Sequence, residues 1–200
     1  MRKFDINSDF YMFKQAFLNE NLKINLISKN DEKFLFEKHF YDSLAVKLFF
    51  EKYDYTPNTI LDIGTGGGFP AVPIAMEYPD INVAAIDSIG KKIRAVKNIS
   101  DTLNLRNVFL INDRVENIKD TRFDLIVSRA VSKVGKMIEY GYPLLNDNGY
   151  IILYKSILAN EEITEAKNII RKYKLKILPQ IEYSLPLDEN YNRTLVIFKK

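Results

Sequence analysis

The pattern of hydrophobic and polar positions changes near residue 58. From there onward, short apolar runs alternate with longer stretches in which apolar residues recur at helical spacing. The short runs predict strands at 60–63, 81–86, 108–111, 123–128, 150–154, 176–183 and 194–198. The longer stretches predict helices at 91–103, 133–145 and 160–173. This alternation predicts an α/β fold with a mostly parallel, doubly wound sheet, to which the last two strands add an antiparallel edge.

Residues 1–56 have a different pattern, in which aromatic and aliphatic residues recur at helical spacing. Asn7 or Ser8 can cap a first helix, and a second helix follows Asn30 and Asp31. The first helix carries Phe10, Phe13, Phe17 and Leu18, with Leu22 on a nearby turn. The second helix carries Phe34, Leu35, Phe36, Phe40, Leu44 and Leu48. We therefore expect a helical extension at 1–56, followed by one compact α/β unit at 57–200.

A glycine-rich segment follows the first predicted strand and precedes a helix-like stretch. A dinucleotide fingerprint starting at Gly64 requires glycine at position 69, and that position is Phe69. The spacing of an acid and three alternate glycines is instead typical of a site for S-adenosylmethionine (SAM), and it is met by Asp62, Gly64, Gly66 and Gly68. Asp62 could hold the turn or face the amino acid part of SAM through water. The alternative is a glycine-rich loop that binds nothing.

An acidic residue follows the second predicted strand. Asp87 lies 23 residues after Gly64, an offset at which acids bind ribose hydroxyls in nucleotide folds. The alternative is that Asp87 or Ser88 only caps the next helix. The glycine loop upstream favours the ribose role.

Polar residues also follow the third and fourth predicted strands. The segment 112–116 can meet an adenine edge, although a plain surface turn is equally compatible with it. Arg129 follows the fourth strand, where a transferase holds residues near the reacting atom, so it is the candidate catalytic residue. Because a cation beside a sulfonium is unfavourable, we expect Arg129 to contact a carboxylate or an anionic substrate. The alternative is a surface salt bridge.

Composition excludes several classes of chemistry. The chain has no cysteine and one histidine, His39, which excludes disulfides, thiolate catalysis and multi-histidine metal sites. We therefore expect no metal. No long apolar run or signal peptide is visible, so we expect a cytoplasmic protein that does not bind membranes. The net charge of +3 mildly favours binding to polyanions.

Basic residues cluster on one predicted helix, and these could hold RNA phosphate: Lys91, Lys92, Arg94 and Lys97. The alternative for this cluster is a solvated helix face.

Several motifs together resemble those of the bacterial ribosomal small-subunit methyltransferase G family, also called glucose-inhibited division protein B. The similar segments are Asn-Leu-x-x-Asn-Leu at 21–26, His-x-x-Asp-Ser at 39–43, the glycine loop with Phe-Pro at 64–70, Asp-Ser-x-x-Lys-Lys at 87–92, Arg-x-Glu at 114–116 and Phe-Asp-x-x-x-Ser-Arg-Ala at 123–130. Ala71 and Ser156 depart from the family's usual glycines. We still expect Ala71 to fit a helix start.

The resemblance implies a Rossmann-like, SAM-dependent methyltransferase fold and N7-methylation of one guanine in a 16S rRNA loop near the decoding site. It implies that S-adenosylhomocysteine is the product and that the partner is 16S rRNA or a small-subunit assembly particle. It also implies cofactor contacts at Gly64, Phe69, Val115, Glu116 and Arg129. Arg114 joins the basic helix as a candidate RNA contact, and we expect a monomer. A small-molecule methyltransferase of the same fold and a non-catalytic regulatory module that binds SAM or a nucleotide are the alternatives.

Overall fold

The computed structural model describes residues 6–156, 159–187 and 191–200. Within these residues, one seven-stranded sheet has the order β3-β2-β1-β4-β5-β7-β6. Its strands are β1 (Thr59–Ile63), β2 (Asn82–Ile86), β3 (Val108–Ile111), β4 (Phe123–Arg129), β5 (Leu145–Ser156), β6 (Lys176–Leu185) and β7 (Tyr191–Lys199). Every predicted strand is present.

The first five strands pair in parallel, and β7 pairs antiparallel with both β5 and β6. The prediction of a mostly parallel sheet with an antiparallel edge is confirmed. The reversed strand is β7, and β6 occupies the edge itself. Because β7 runs against β5, the beginning of β7 lies beside the carboxyl end of β5.

Helices cover both faces of the sheet. They are α1 (Ile6–Ile24), α2 (Val46–Tyr53), α3 (Ala71–Glu77), α4 (Gly90–Thr102), α5 (Val134–Gly141), α6 (Ala159–Glu165) and α7 (Lys167–Lys172). On one face, α2 and α3 pack against the sheet, and on the other face α5, α6 and α7 do so. Alternate residues of the central strands enter the two cores in turn, as with Leu125 and Ile126 of β4.

Several predicted helix bounds are wrong. Asn7 and Ser8 lie inside α1 rather than before it, and Leu22 is exposed. The continuous helix predicted after Asp31 is a 3₁₀ turn (Glu32–Phe34), a π-helix (Leu35–Tyr41) and then α2. Tertiary packing of this aromatic segment overrides the simple 3.6-residue period.

Later bounds also differ. The helix predicted at 133–145 ends at Gly141, where a 3₁₀ turn containing Pro143 (Tyr142–Leu144) follows. β5 then begins at Leu145 and includes the segment expected to be a turn. The helix predicted at 160–173 is divided into α6 and α7, and each of them packs on α5. Ala71 begins α3, as expected.

The N-terminal elements share a core with the glycine loop. Phe13 and Phe17 of α1 and Phe40 of the π-helix are buried, and the ring centroids of Phe13 and Phe17 lie 5.7 and 5.2 Å from that of Phe69. Burying each of these side chains contributes about 1.5–3 kcal/mol to stability. The extension therefore packs directly against the loop that follows β1.

Candidate cofactor and substrate cavity

A cavity of about 750 Å³ opens at the carboxyl ends of the parallel strands. In open α/β sheets, ligands bind at this edge, where the strand order reverses. Nine of the residues predicted from the sequence line the cavity: Gly64, Gly66, Phe69, Asp87, Lys92, Arg114, Val115, Glu116 and Arg129. The fold thus brings together the segments that follow β1, β2, β3 and β4.

The three alternate glycines have different surroundings. A Cβ atom at Gly64 would lie 2.4 Å from a Val131 methyl carbon, and one at Gly68 would lie 2.8 Å from a Val72 methyl carbon. A Cβ atom at Gly66 would meet nothing closer than 3.9 Å, and Gly66 lines the cavity. Gly64 and Gly68 therefore permit close packing, whereas Gly66 leaves open space in which a ligand can approach the backbone.

Asp62 lies behind the loop and does not line the cavity. Its Oδ2 accepts a hydrogen bond from the Ala71 backbone N–H at 3.2 Å, which ties the end of β1 to the start of α3. Its Oδ1 is buried without a hydrogen-bond partner among the described residues. Burial raises the pKa of Asp62 to about 7. Of the two roles expected for Asp62, the geometry favours holding the turn.

Asp87 joins two loops at the cavity wall. Its Oδ2 accepts from the Gly66 backbone N–H at 3.0 Å, and its Oδ1 accepts from the Ile89 N–H at 2.8 Å, just before α4. The second bond lies outside α4, whose N-cap is Ile89 with no side-chain cap hydrogen bond, so Asp87 is not the N-cap considered from the sequence. The first is an additional contact that holds the glycine loop against β2, and the carboxylate also lines the cavity.

The segment after β3 forms the far wall of the cavity. Asp113 accepts from the Arg114 backbone N–H at 2.7 Å, and a 3₁₀ turn follows at Val115–Asn117. The pKa of Glu116 is lowered, first by a hydrogen bond from its own backbone and then by one from the Tyr140 side chain. Tyr140 lines the same wall.

Arg129 is fixed by contacts with the N-terminal extension. Its Nη1 donates to the Lys38 carbonyl at 2.9 Å and to Asp42 Oδ2 at 3.1 Å, and its Nη2 donates to His39 Nδ1 at 3.0 Å. Its guanidinium carbon lies 5.1 Å from the centre of the Phe69 ring. The side chain is 12% exposed. The expected carboxylate partner is therefore present, and the surface salt bridge is not the arrangement found.

His39 is uncharged near neutral pH. Burial, followed by the charge of Arg129, lowers its pKa to about 4. Because arginine can only donate, His39 Nδ1 must accept, which assigns the proton to Nε2. That Nε2 is buried without a hydrogen-bond partner among the described residues.

Asp42 is the centre of this network, and sequence reasoning gave it no role of its own. Its carboxylate accepts from Arg129, from the Tyr183 hydroxyl at 2.6 Å and from Arg193 at 3.4 Å, and its side chain is 2% exposed. The only signal in the sequence was the His-x-x-Asp-Ser motif. No local pattern pointed to Tyr183 or Arg193.

The basic residues of the predicted helix lie in two different environments. Lys92 lines the cavity, whereas Lys91, Arg94 and Lys97 do not. Lys97 forms an exposed ion pair with Asp101 at 2.6 Å. Arg114, which follows β3, also lines the cavity.

Across the three described ranges, no group of three or more acidic, histidine or cysteine side chains is arranged to hold a metal ion. In the same ranges, the helices are too short or too polar to cross a membrane.

Comparison with solved structures supports the fold. An O-methyltransferase from Bacillus cereus, crystallised with S-adenosylhomocysteine, superposes with a TM-score of 0.62, covering 94% of this chain and 90% of that chain at 16% identity. This likeness confirms the predicted α/β fold.

Comparison of sequences identifies the family. Ribosomal RNA small subunit methyltransferase G from Bacillus licheniformis is 33% identical over 198 residues, covering 96% of this chain and 81% of the relative. The protein of the same name from Mycoplasma capricolum is 36% identical over 176 residues, covering 87% and 75%. The family model for rRNA small subunit methyltransferase G (GidB) matches residues 6–183. The chain therefore belongs to the rRNA small subunit methyltransferase G family.

Proposed function

We propose that this protein transfers a methyl group from SAM to N7 of one guanine in 16S rRNA. The observation that carries the proposal is a single cavity lined by Gly66, Asp87 and Arg129. The Gly66 backbone is open to a ligand there, Arg129 is fixed by Asp42, and the chain belongs to this family. Relatives named for methylation of small-subunit rRNA support the class of substrate.

The residues present fit SAM. The open space at Gly66 allows a ligand to approach the loop backbone, and Asp87 offers carboxylate oxygens beside it for ribose hydroxyls. Val115 and Glu116 on the far wall would meet the adenine, and Phe69 would lie under the amino acid end. Bound SAM supplies a methyl group already activated by its sulfonium. Asp62 and Gly68 would act indirectly, by shaping the loop.

The side chains around Arg129 suit an acceptor that needs no general base. Guanine N7 has a lone pair and no proton, so positioning matters more than proton transfer. His39 is neutral and its Nδ1 is occupied, and Asp42 is saturated by three donors. Arg129 therefore positions the reacting groups or binds a carboxylate or phosphate oxygen.

We place the RNA on the rim of this cavity. Lys92 and Arg114 are at the lining and are available to phosphate, while Lys91, Arg94 and Lys97 extend the basic surface along α4. The competing face is the rim formed by the N-terminal helices with Arg114 and Arg129. A cytoplasmic monomer, with an extension at 1–56 and a SAM-binding unit at 57–200, completes the proposal.

The test compares 16S rRNA from cells with and without the gene by mass spectrometry. We expect loss of one N7-methylguanine in the deletion strain and its return when purified protein and SAM are added to the unmethylated small subunits. Unchanged rRNA, together with methyl transfer to a small molecule, would favour the alternative enzyme class. Unchanged rRNA with SAM binding and no transfer would favour a regulatory module.

A further inference from the structure

Part of the cavity lining comes from β6 and β7, and none of these residues is among those proposed to hold SAM. In the antiparallel ladder, Leu185 pairs with Tyr191 and Tyr183 pairs with Arg193, while Ser156 at the end of β5 also pairs with Arg193. Leu185, Tyr191 and Arg193 line the same cavity as Gly66 and Asp87. The beginning of β7 therefore extends the cofactor cavity to a second wall.

Strand geometry explains why these side chains act together. Residues two apart on a strand point to the same face, and directly paired residues across an antiparallel ladder are neighbours on that face. Tyr191 and Arg193 therefore share one face with their partners, Leu185 and Tyr183. Tyr191 is 49% exposed, whereas its neighbour Leu185 is buried. Both residues line the cavity, so the lining has an exposed aromatic residue beside a buried apolar one.

The Arg193 side chain is fixed by contacts with Asp42. Its Nε and Nη2 each lie 3.4 Å from an oxygen of Asp42, whose other contacts are Arg129 and the Tyr183 hydroxyl. Its side chain is 16% exposed. Arg193 also interacts with the Tyr183 side chain. Because a guanidinium carries five N–H donors, these two partners leave donor capacity for another acceptor oxygen.

We propose that the wall formed by Tyr191, Leu185 and Arg193 is the binding site for the target nucleotide, with its base stacked on the Tyr191 ring and an acceptor oxygen bound by Arg193. The proposal rests on the proposed function. A ring and a fixed guanidinium are the groups that recognise an unstacked nucleotide of single-stranded RNA. Because the Arg129 side chain in the cavity lining is 12% exposed, the target base must leave its stack to reach it.

The oxygen bound by Arg193 is either a base carbonyl or a phosphate, and the two differ in salt dependence. A phosphate contact releases a counterion, so its loss lowers the log–log salt slope by about one. A carbonyl contact leaves the slope unchanged.

The test measures methyl transfer to small ribosomal subunits purified from cells that lack the gene. The variants are Tyr191→Ala, Tyr191→Leu and Tyr191→Phe, and Tyr11→Ala is the matched control, because Tyr11 is 64% exposed on α1 and does not line the cavity. We expect Ala and Leu to raise the KM for subunits about ten-fold or more. We expect Phe and the control to stay within about two-fold of wild type. SAM affinity by calorimetry should be unchanged in all four.

A second arm uses Arg193→Gln, with Arg193→Lys retaining the charge. A raised KM with a smaller salt slope identifies phosphate, a raised KM with an unchanged slope identifies a base oxygen, and an unchanged KM overturns the role of Arg193. Wild-type KM in both Tyr191→Ala and Tyr191→Leu overturns the stacking site while leaving the proposed function intact. Wild-type protein that methylates no subunits overturns both.

Discussion

The buried carboxylate of Asp42 gives the sharpest stability prediction. It accepts from Arg129 and Tyr183 and more distantly from Arg193, which lie on β4, β6 and β7, while Asp42 itself follows the π-helix. Asp42→Asn removes the negative charge but keeps the size of the side chain and one acceptor oxygen. It leaves two arginines that are 12% and 16% exposed beside a neutral amide.

Removing one partner of a buried ion pair costs about 3–5 kcal/mol, because the other charge stays desolvated and unpaired. We expect the lower end, about 3 kcal/mol, since the 3.4 Å contacts with Arg193 are long and asparagine keeps an acceptor for Tyr183. For a chain of this size, 1 kcal/mol lowers the Tm by about 2–4 °C, so the loss corresponds to about 6–12 °C. Urea unfolding followed by circular dichroism measures the free energy directly.

The matched control is Asp101→Asn on α4. The Lys97–Asp101 pair is shorter, at 2.6 Å, but the two side chains are 64% and 62% exposed. Its loss should cost no more than about 0.5 kcal/mol, because water screens the pair. If the two variants lost similar stability, or if Asp42→Asn lost less than about 1 kcal/mol, burial would not be what makes the Asp42 network strong.

The cofactor loop, its acidic neighbours and the basic helix each give a further prediction. Gly66→Val should abolish SAM binding, because the branched side chain would fill the open space at the loop, and normal calorimetric binding would place the cofactor elsewhere. Asp87→Ala should weaken SAM binding by about 1–3 kcal/mol, with partial recovery in Asp87→Asn. Unchanged affinity in a folded variant would leave Asp87 only its contacts with the Gly66 and Ile89 backbone. The raised pKa of Asp62 means that between pH 3.8 and about 7 the folded protein keeps a proton that the unfolded chain has released, so stability falls as pH rises through this window. The free energy of unfolding of Asp62→Asn, measured with urea at pH 3.8 and at about pH 7, should not show this decrease. An identical pH dependence in the variant and the wild type would contradict the raised pKa of Asp62. Reversing charge at Lys92 and Lys97 together should lower RNA affinity and the salt slope without changing SAM affinity, and wild-type values would move the RNA face to the rim near the N-terminal helices.

The strands and the glycine loop could be predicted because their signals are local. Apolar runs bounded by polar residues marked every strand of the sheet, and an acid with alternate glycines marked the loop between β1 and α3. The carboxyl ends of parallel strands lie at one edge, so Asp87 and Arg129 could be expected near Gly66 without coordinates.

The rest of the site depends on contacts between distant parts of the chain. Asp42 and Arg193 are 151 positions apart, and no spacing rule connects them. Whether Arg193 faces the cavity depends on the register of β7 against β5, and one residue of slip would turn it to the other face. The π-helix was missed for a similar reason, because its backbone follows the packing of Phe40 among the aromatic residues around Phe69.

Phe69 belongs both to the local sequence pattern and to the contacts between distant parts of the chain. The sequence assigned it to the cofactor loop, and the structure places its ring against Phe13 and Phe17 of the extension on one side and near Arg129 and His39 on the other. N-terminal residues therefore support both the loop that would hold SAM, through Phe13 and Phe17, and the arginine that would face the acceptor, through Lys38, His39 and Asp42. Since Asp42 also binds Arg129 and Arg193, this N-terminal part of the chain contacts both walls of the cavity.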